Sequence, residues 1–434
     1  MYINFKSPLL VQWEVTYDCN KNCVHCYNYW RTDNCKVSNN SKLNKIHSEY
    51  IVNEILKNEV FHVVVTGGEP LLVFDELYPY LKRLHDNNIK LSLNSNLMIM
   101  TDEIAKKLKS VGINGVLVSF PAHNEMLDYQ ITGVKNSFKK TIEGIKCAKR
   151  NGLSITTNMV VTRLNYNHIY ETAKLAKTIG ANKFSINRSM KPENCKNFDQ
   201  YQISLEQYKN IPAIMKKIKD EIGIDVLSVE ANPLCFINDY NLLKEVGFSR
   251  TCSAGKTFCA IDPTGNIRPC ILISDNYGNN LSNAWKNMEV YRNESMLPKE
   301  CNNCTKKDTC DGGCKAERKH ICGDLKKIDP YADLSNIFSN KEKLNISSDD
   351  IVLNKETVYQ VNDKVIFRKE DFGGLIYLST KYFVAVEDSL FDFLRANKEF
   401  EISYLMKELK YTYEEAIKTI KYLNIKHILI QKNI

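Results

Sequence analysis

Cys19, Cys23 and Cys26 put three thiols on one short stretch, Asp18-Cys19-Asn20-Lys21-Asn22-Cys23-Val24-His25-Cys26-Tyr27. A structural zinc site closes with four ligands, and here only His25, inside the motif, offers a fourth at natural spacing. Three thiolates on a four-iron cubane instead leave one iron open to an exogenous ligand, and cysteine is the usual ligand of such clusters. Farther on, Thr66-Gly67-Gly68-Glu69-Pro70 sets two residues without Cβ side by side, where backbone can approach a ligand closely. A second cysteine field comprises Cys252, Cys259 and Cys270, then Cys301-x2-Cys304-x5-Cys310-x3-Cys314, with Cys322 beyond. Within it, Asp262-Pro263-Thr264-Gly265-Asn266 reads as a turn that folds Cys259 back toward Cys270. C-x2-C units are also typical of zinc, so a pair of zinc ribbons is the rival reading.

The C-x3-C-x2-C loop followed by a GGEP motif on the next strand resembles the radical S-adenosylmethionine (SAM) superfamily. That resemblance implies that the amino and carboxylate groups of SAM chelate the open iron. An electron from the cluster then breaks the sulfonium C–S bond and releases a 5′-deoxyadenosyl radical that abstracts hydrogen. Gly67, Gly68 and Glu69 would lie against the methionyl amino group. Ser95, Asn96, Ser119, Ser137 and Asn158 would hold the ribose and carboxylate, the competing reading of each being an ordinary cap or strand-end hydrogen bond.

The second field resembles the SPASM extension of peptide-modifying radical SAM enzymes, which holds two auxiliary 4Fe–4S clusters, making three in all. Carried over by position, Cys252, Cys259, Cys270 and Cys314 would bind the inner cluster, and Cys301, Cys304 and Cys310 the outer one. The outer cluster then needs one more ligand. SPASM domains commonly end in Gly-Asp, Asp-Pro and a final cysteine; this chain keeps Gly323-Asp324 and Asp329-Pro330-Tyr331 but has Ala332 at the cysteine position. Cys322, in the same segment, is the natural replacement. Cys35, Cys147, Cys195 and Cys235 fall outside the motifs and read as buried inert thiols.

Positioning these groups requires strands that deliver loops to one edge. Short apolar runs at 10–15, 61–66, 91–94, 115–120, 154–161 and 183–187 alternate with helical patterns such as 101–111, the signature of parallel βα units. Six units are too few for a closed eight-stranded barrel, so an α/β fold built on an open, partial (β/α)6 barrel is expected, with its chemistry at the C-terminal strand ends. The expected organisation is a barrel over 1–235, a SPASM domain over 236–332, a polar linker over 333–356 and a small α+β module over 357–434. In that module, strands are expected at 358–367, 375–386 and 428–430, and helices at 389–395, 402–409 and 413–423. Its segment Phe367-Arg368-Lys369-Glu370-Asp371-Phe372-Gly373-Gly374-Leu375-Ile376-Tyr377 resembles the winged-helix-like peptide-recognition element of pyrroloquinoline-quinone and mycofactocin biosynthesis. There the leader of a precursor peptide adds as an extra strand, main-chain hydrogen bonds giving affinity and side-chain pockets specificity. A winged helix that binds nucleic acid is the alternative, disfavoured by Glu414 and Glu415 on the last helix.

The bulk properties agree. A chain of 434 residues suggests two or three domains. Its 43% hydrophobic residues suffice for packed cores, and the net charge of +8 is scattered, as on a solvated surface. No segment approaches the roughly 18 apolar residues needed to span a bilayer, and the N-terminus MYINFKSPLLVQWEV lacks the pattern of a signal peptide. Fifteen cysteines without an export signal point to metal rather than disulfides, and to the cytoplasm. The expected function is maturation of a ribosomally made peptide by a carbon–sulfur or carbon–carbon crosslink, with an electron donor such as ferredoxin or flavodoxin and no membrane or nucleic-acid partner. Two alternatives stand beside it. A sulfatase-maturing oxidase would carry Asp directly after the third inner-cluster ligand, where this chain has Ile271, and would lack the recognition module. A cysteine-rich zinc scaffold that binds nucleic acid is the non-enzymatic one.

Overall fold

The computed structural model describes residues 4–28, 30, 41–193, 195, 197–338 and 354–432; Cys35 and most of the expected linker lie outside these. The chain divides into two compact units, Met1–Lys341 and Glu342–Ile434.

In the first unit all six expected strands form, each end within one residue of the sequence reading: β1 Leu10–Glu14, β2 His62–Thr66, β3 Lys90–Ser95, β4 Gly115–Ser119, β5 Ser154–Val161 and β6 Lys183–Arg188. They pair in sequence order, all parallel. A short β7, Asp225–Leu227, extends the sheet beyond β6, while β8, Phe258–Ile261, joins parallel to the free side of β1 and β9, Ile267–Arg268, runs antiparallel to β8. The nine-stranded sheet is open, running β7-β6-β5-β4-β3-β2-β1-β8-β9. Strands such as HVVVT read as near-continuous apolar runs because crossover helices bury a parallel sheet.

Those helices are α1 Lys45–Lys57, α2 Phe74–Asp86, α3 Asp102–Ser110, α4 Glu125–Thr132, α5 Ser137–Arg150, α6 Ile169–Thr178 and α7 Leu205–Ile222. Their ends follow local chemistry. Thr101 caps α3 by accepting from the Ile104 amide at 3.2 Å, and Ser204 and Gln207 form a reciprocal capping box on α7. Four short helices follow, α8 Tyr240–Glu245, α9 Leu281–Asn287, α10 Lys307–Cys310 and α11 Lys315–Cys322. One core runs from Val11 to Tyr331 and takes in Cys252, Cys259, Cys270, Cys310 and Cys314, so the cysteine-rich segment packs with the sheet rather than apart from it.

The second unit has its own core, centred on Tyr359, Ile376, Phe391, Leu405 and Ile420. It contains two three-stranded antiparallel sheets, β14-β10-β15 and β11-β12-β13. The strands are β10 Val358–Val361, β11 Ile366–Glu370, β12 Gly373–Tyr377, β13 Phe383–Val386, β14 Glu399–Glu401 and β15 Leu429–Gln431. Helices α12 Asp388–Ala396, α13 Ile402–Leu409 and α14 Tyr413–Ile425 fall where expected. The two long strands expected at 358–367 and 375–386 are each two strands: Asn362, Asp363 and Lys364 turn the chain between β10 and β11, and Ser379 to Tyr382 turn it between β12 and β13. The Gly373-Gly374 pair is required by packing. A Cβ on Gly374 would stand 1.9 Å from the Phe391 ring, and Gly373 sits at φ +129°.

Candidate functional site

Parallel strands bring their C-terminal ends to one edge, and three of the sequence-predicted groups meet there. The cysteine loop leaves β1, Gly67-Gly68-Glu69 leaves β2, and Ser95-Asn96 ends β3. The loop is strapped to the end of α4: the amide of Asn22 donates to Thr132 O at 2.8 Å, and that of Val24 to Ile131 O at 2.9 Å. Lys21, almost fully buried, donates through Nζ to Thr141 Oγ1 on α5 at 3.1 Å. The Cys26 amide donates to Cys23 O at 3.1 Å, and the Lys21 amide reaches Cys19 Sγ at 3.4 Å. All three thiols are half-buried. Burial, reinforced by Cys23 and Glu69 nearby, pushes the Cys19 thiol well above its ordinary range. A thiol so held keeps its proton until a cation displaces it, which is how metal binding couples to ionisation.

The two glycines serve the protein backbone itself. A Cβ on Gly67 would lie 2.7 Å from Thr16 O, and one on Gly68 1.9 Å from Asp18 O. The turn therefore packs directly under the start of the cysteine loop, where the Gly68 amide donates to Thr16 O at 2.7 Å and the Glu69 amide to Asp18 O at 2.8 Å. Glu69, buried, is the hub: Oε1 accepts from Ser95 Oγ at 2.6 Å and the Leu71 amide at 3.1 Å, and Oε2 from the Asn96 amide at 2.8 Å. Burial raises its carboxyl, against those donors. Asn96 Nδ2 then donates to Asn20 Oδ1 at 2.7 Å, tying β3 to the cysteine loop.

The remaining predicted polar groups are placed differently from one another. Ser119 and Asn158 stand in register on β4 and β5, and Asn158 Oδ1 accepts from Asn187 Nδ2 at 2.5 Å. Ser137 is fully buried and bonds Asp128 and Thr132, so its hydroxyl braces the junction of α4 and α5 that carries the cysteine loop. Sequence reasoning missed Asn20, Lys21 and Asn187. No short-range motif marks them, since their partners are distant in the chain.

The second cysteine field resolves into two neighbourhoods. Cys259 lies fully buried in β8, paired with Val11 of β1, and Cys270 follows β9. The Gly255 amide donates to Pro269 O at 3.0 Å, which holds the Cys252 segment beside the Cys270 loop. Burial pushes the Cys270 thiol up to about 12, helped by Cys252, and Cys252 likewise raises Cys314 after burial. Arg268 locks this corner to β1. It forms a buried ion pair with Glu14, and its Nη1 donates to Ile271 O and Ile273 O, each at 3.2 Å. Cys314 is fixed from the other side, its amide donating to Asp329 Oδ2 at 2.8 Å. Asp329 in turn pairs with buried Arg188 from the end of β6, at 2.8 Å. One guanidinium cannot neutralise three carboxylates, and burial pushes the two others near it, Glu230 and Glu317, up to about 8 and about 7.

The second neighbourhood surrounds a small cavity with Cys301, Cys304, Cys310, Cys235 and Ala332 in its wall. Cys322 is not in that wall; it ends α11 with its thiol 3.6 Å from Ile328 O. Among the described residues, no three His, Cys, Asp or Glu side chains converge tightly enough to grip a single ion. Four thiols, those of Cys235, Cys301, Cys304 and Cys310, thus share the wall of one cavity, the donor set an iron–sulfur cluster takes.

The radical SAM superfamily model matches residues 13–176, from β1 into α6, and that stretch is a radical SAM domain. Among characterised proteins, the chain is similar to the AdoMet-dependent heme synthase of Methanosarcina barkeri, 24% identical over 75% of this chain and 96% of that protein. It is also similar to the mycofactocin maturase of Mycolicibacterium smegmatis, 26% identical over 72% of this chain and 79% of that one. The fold matches the crystal structure of Streptococcus suis SuiB bound to S-adenosylmethionine with a TM-score of 0.57, at 18% identity over 75% of this chain and 77% of that one.

Proposed function

We propose that this protein is a radical SAM maturase that crosslinks a ribosomally synthesised precursor peptide, through a carbon–sulfur or carbon–carbon bond. The observation that carries it is the strapped cysteine loop meeting Gly67-Gly68-Glu69 and Ser95-Asn96 at one sheet edge, inside a radical SAM domain. On this reading β1 to β6 are the partial (β/α)6 barrel, and Cys19, Cys23 and Cys26 hold a 4Fe–4S cluster with one iron left for SAM. Cluster and SAM together would supply the 5′-deoxyadenosyl radical for hydrogen abstraction. The backbone at Gly67-Gly68, with Ser95, Asn96, Ser119 and Asn158, would orient SAM, whereas Ser137 acts through the α4–α5 junction. Cys252, Cys259, Cys270 and Cys314 would ligate an inner auxiliary cluster, and Cys301, Cys304 and Cys310 contribute to an outer one, giving three clusters and a SPASM-type domain. The second unit would be the winged-helix-like element that receives the peptide leader along a sheet edge. Ferredoxin or flavodoxin would deliver electrons, in the cytoplasm; among the described residues no helix is long and apolar enough to cross a membrane.

The test is anaerobic incubation of reconstituted protein with SAM, a reductant and short cysteine-containing peptides encoded beside its gene. A peptide lighter by two hydrogen atoms, formed with 5′-deoxyadenosine, is the expected product. A second reading follows from the similarity to heme synthase over nearly that protein's whole length. It expects haem from a tetrapyrrole precursor in the same assay and no change in any peptide.

A further inference from the structure

The outer cysteine set has Ala332 where a cysteine would close it. The fold supplies one from elsewhere. Cys235 sits in a short 3-10 turn, Leu234–Phe236, that packs against the turn Leu334–Asn336 just after Ala332. The Leu234 amide donates to Cys310 Sγ at 3.3 Å, and the Cys310 thiol points to Asn232 O at 3.9 Å, so the turn is clasped onto the outer set from outside it. Cys235 and Ala332 then face the same cavity as Cys301, Cys304 and Cys310. We propose that Cys235 is the fourth thiolate of the outer auxiliary cluster, in place of the missing cysteine at 332, and that Cys322 is not a ligand.

The backbone N–H of Asp333, next to Ala332, points at the Cys235 thiol. Four cysteines leave no open iron, as suits a cluster that carries electrons without binding substrate. Cys322 is not among the residues that line the cavity, and its thiol lies 3.6 Å from Ile328 O. Distance in sequence hid the pairing, because Cys235 lies well upstream of the C-x2-C unit and outside every recognised motif.

The inference rests on the auxiliary-cluster reading, and the experiment separates the two. Full-length protein, Cys235→Ala, Cys235→Ser and Cys322→Ala are reconstituted anaerobically, then compared by iron and sulfide content and by Mössbauer and EPR spectra of oxidised and reduced samples. The SAM-induced change in the first cluster's EPR signal reports that each variant is folded. Cys235→Ala is expected to lose between about one and about four of some twelve irons, with a three-iron signal or loss of one cubane. Cys235→Ser should keep the cubane with shifted parameters, and Cys322→Ala should match the parent. Parent-like iron and spectra in Cys235→Ala, or loss of the outer cluster in Cys322→Ala alone, overturns the assignment of Cys235. A parent that binds only about four irons overturns the auxiliary-cluster reading itself.

Discussion

Gly68 and Glu69 carry the heaviest single-residue constraints at the edge where the cysteine loop sits. Any side chain on Gly68 collides with Asp18 O, a backbone atom that cannot move without moving Cys19. Gly68→Ala is therefore expected to displace the loop, leaving a protein that folds but reconstitutes its first cluster poorly; iron content and SAM-dependent EPR check this. Glu69 accepts three hydrogen bonds in a buried site, and glutamine can accept at only one of its two terminal atoms. Glu69→Gln should cost about 1–3 kcal/mol of stability through the donor left unpaired, read as a lower denaturation midpoint. Most of this was legible in the sequence, because the cysteines, the glycine pair and Ser95-Asn96 lie in contiguous motifs. What the sequence did not reveal is a second demand on the glycines, since Thr16 O and Asp18 O lie where their side chains would stand. Asn20 and Lys21 escaped notice for the same reason as Cys235: their partners come from other elements.

Among the elements, β8 and β9 matter most, because they attach the second cysteine field to β1, the strand that leads into the first. Arg268 on β9 holds both the Glu14 carboxylate and the carbonyls of the Cys270 loop. Burial raises Glu14 to about 7 even with Arg268 opposing it, so removing the guanidinium leaves an acid in a site with no counter-charge. Arg268→Met should destabilise the first unit by about 3–5 kcal/mol, with Glu14→Gln/Arg268→Met recovering part of that loss. Thermal unfolding of the two variants beside the parent decides it, and a neutral single variant would contradict the role. The six parallel strands were legible because apolar runs and helical periodicity alternate cleanly over the first half. In the second unit the antiparallel strands are short and joined by turns of two to five residues, so apolar residues on both sides of Asn362-Asp363 let two strands and a turn read as one strand. The three-residue β14 carries only one inward side chain, Phe400, too little for periodicity to register.

For the whole molecule, two separately cored units argue for two separable tasks. Protein ending at Lys341 should still form 5′-deoxyadenosine slowly and uncoupled from peptide, while modification of the precursor is lost; equal peptide turnover with and without residues 342–434 would remove the recognition role. The chemistry itself belongs to the first unit, where every cysteine of the two recognised fields lies. The most direct test of that chemistry is quantification of 5′-deoxyadenosine from SAM by anaerobically reconstituted, reduced protein, alongside its iron content. About twelve irons per chain and steady 5′-deoxyadenosine formation are expected, falling by about a third in iron and to zero in product when Cys19, Cys23 and Cys26 are changed together to Ala. Stoichiometric zinc in anaerobically purified protein, or product formation that survives the triple change, would contradict it.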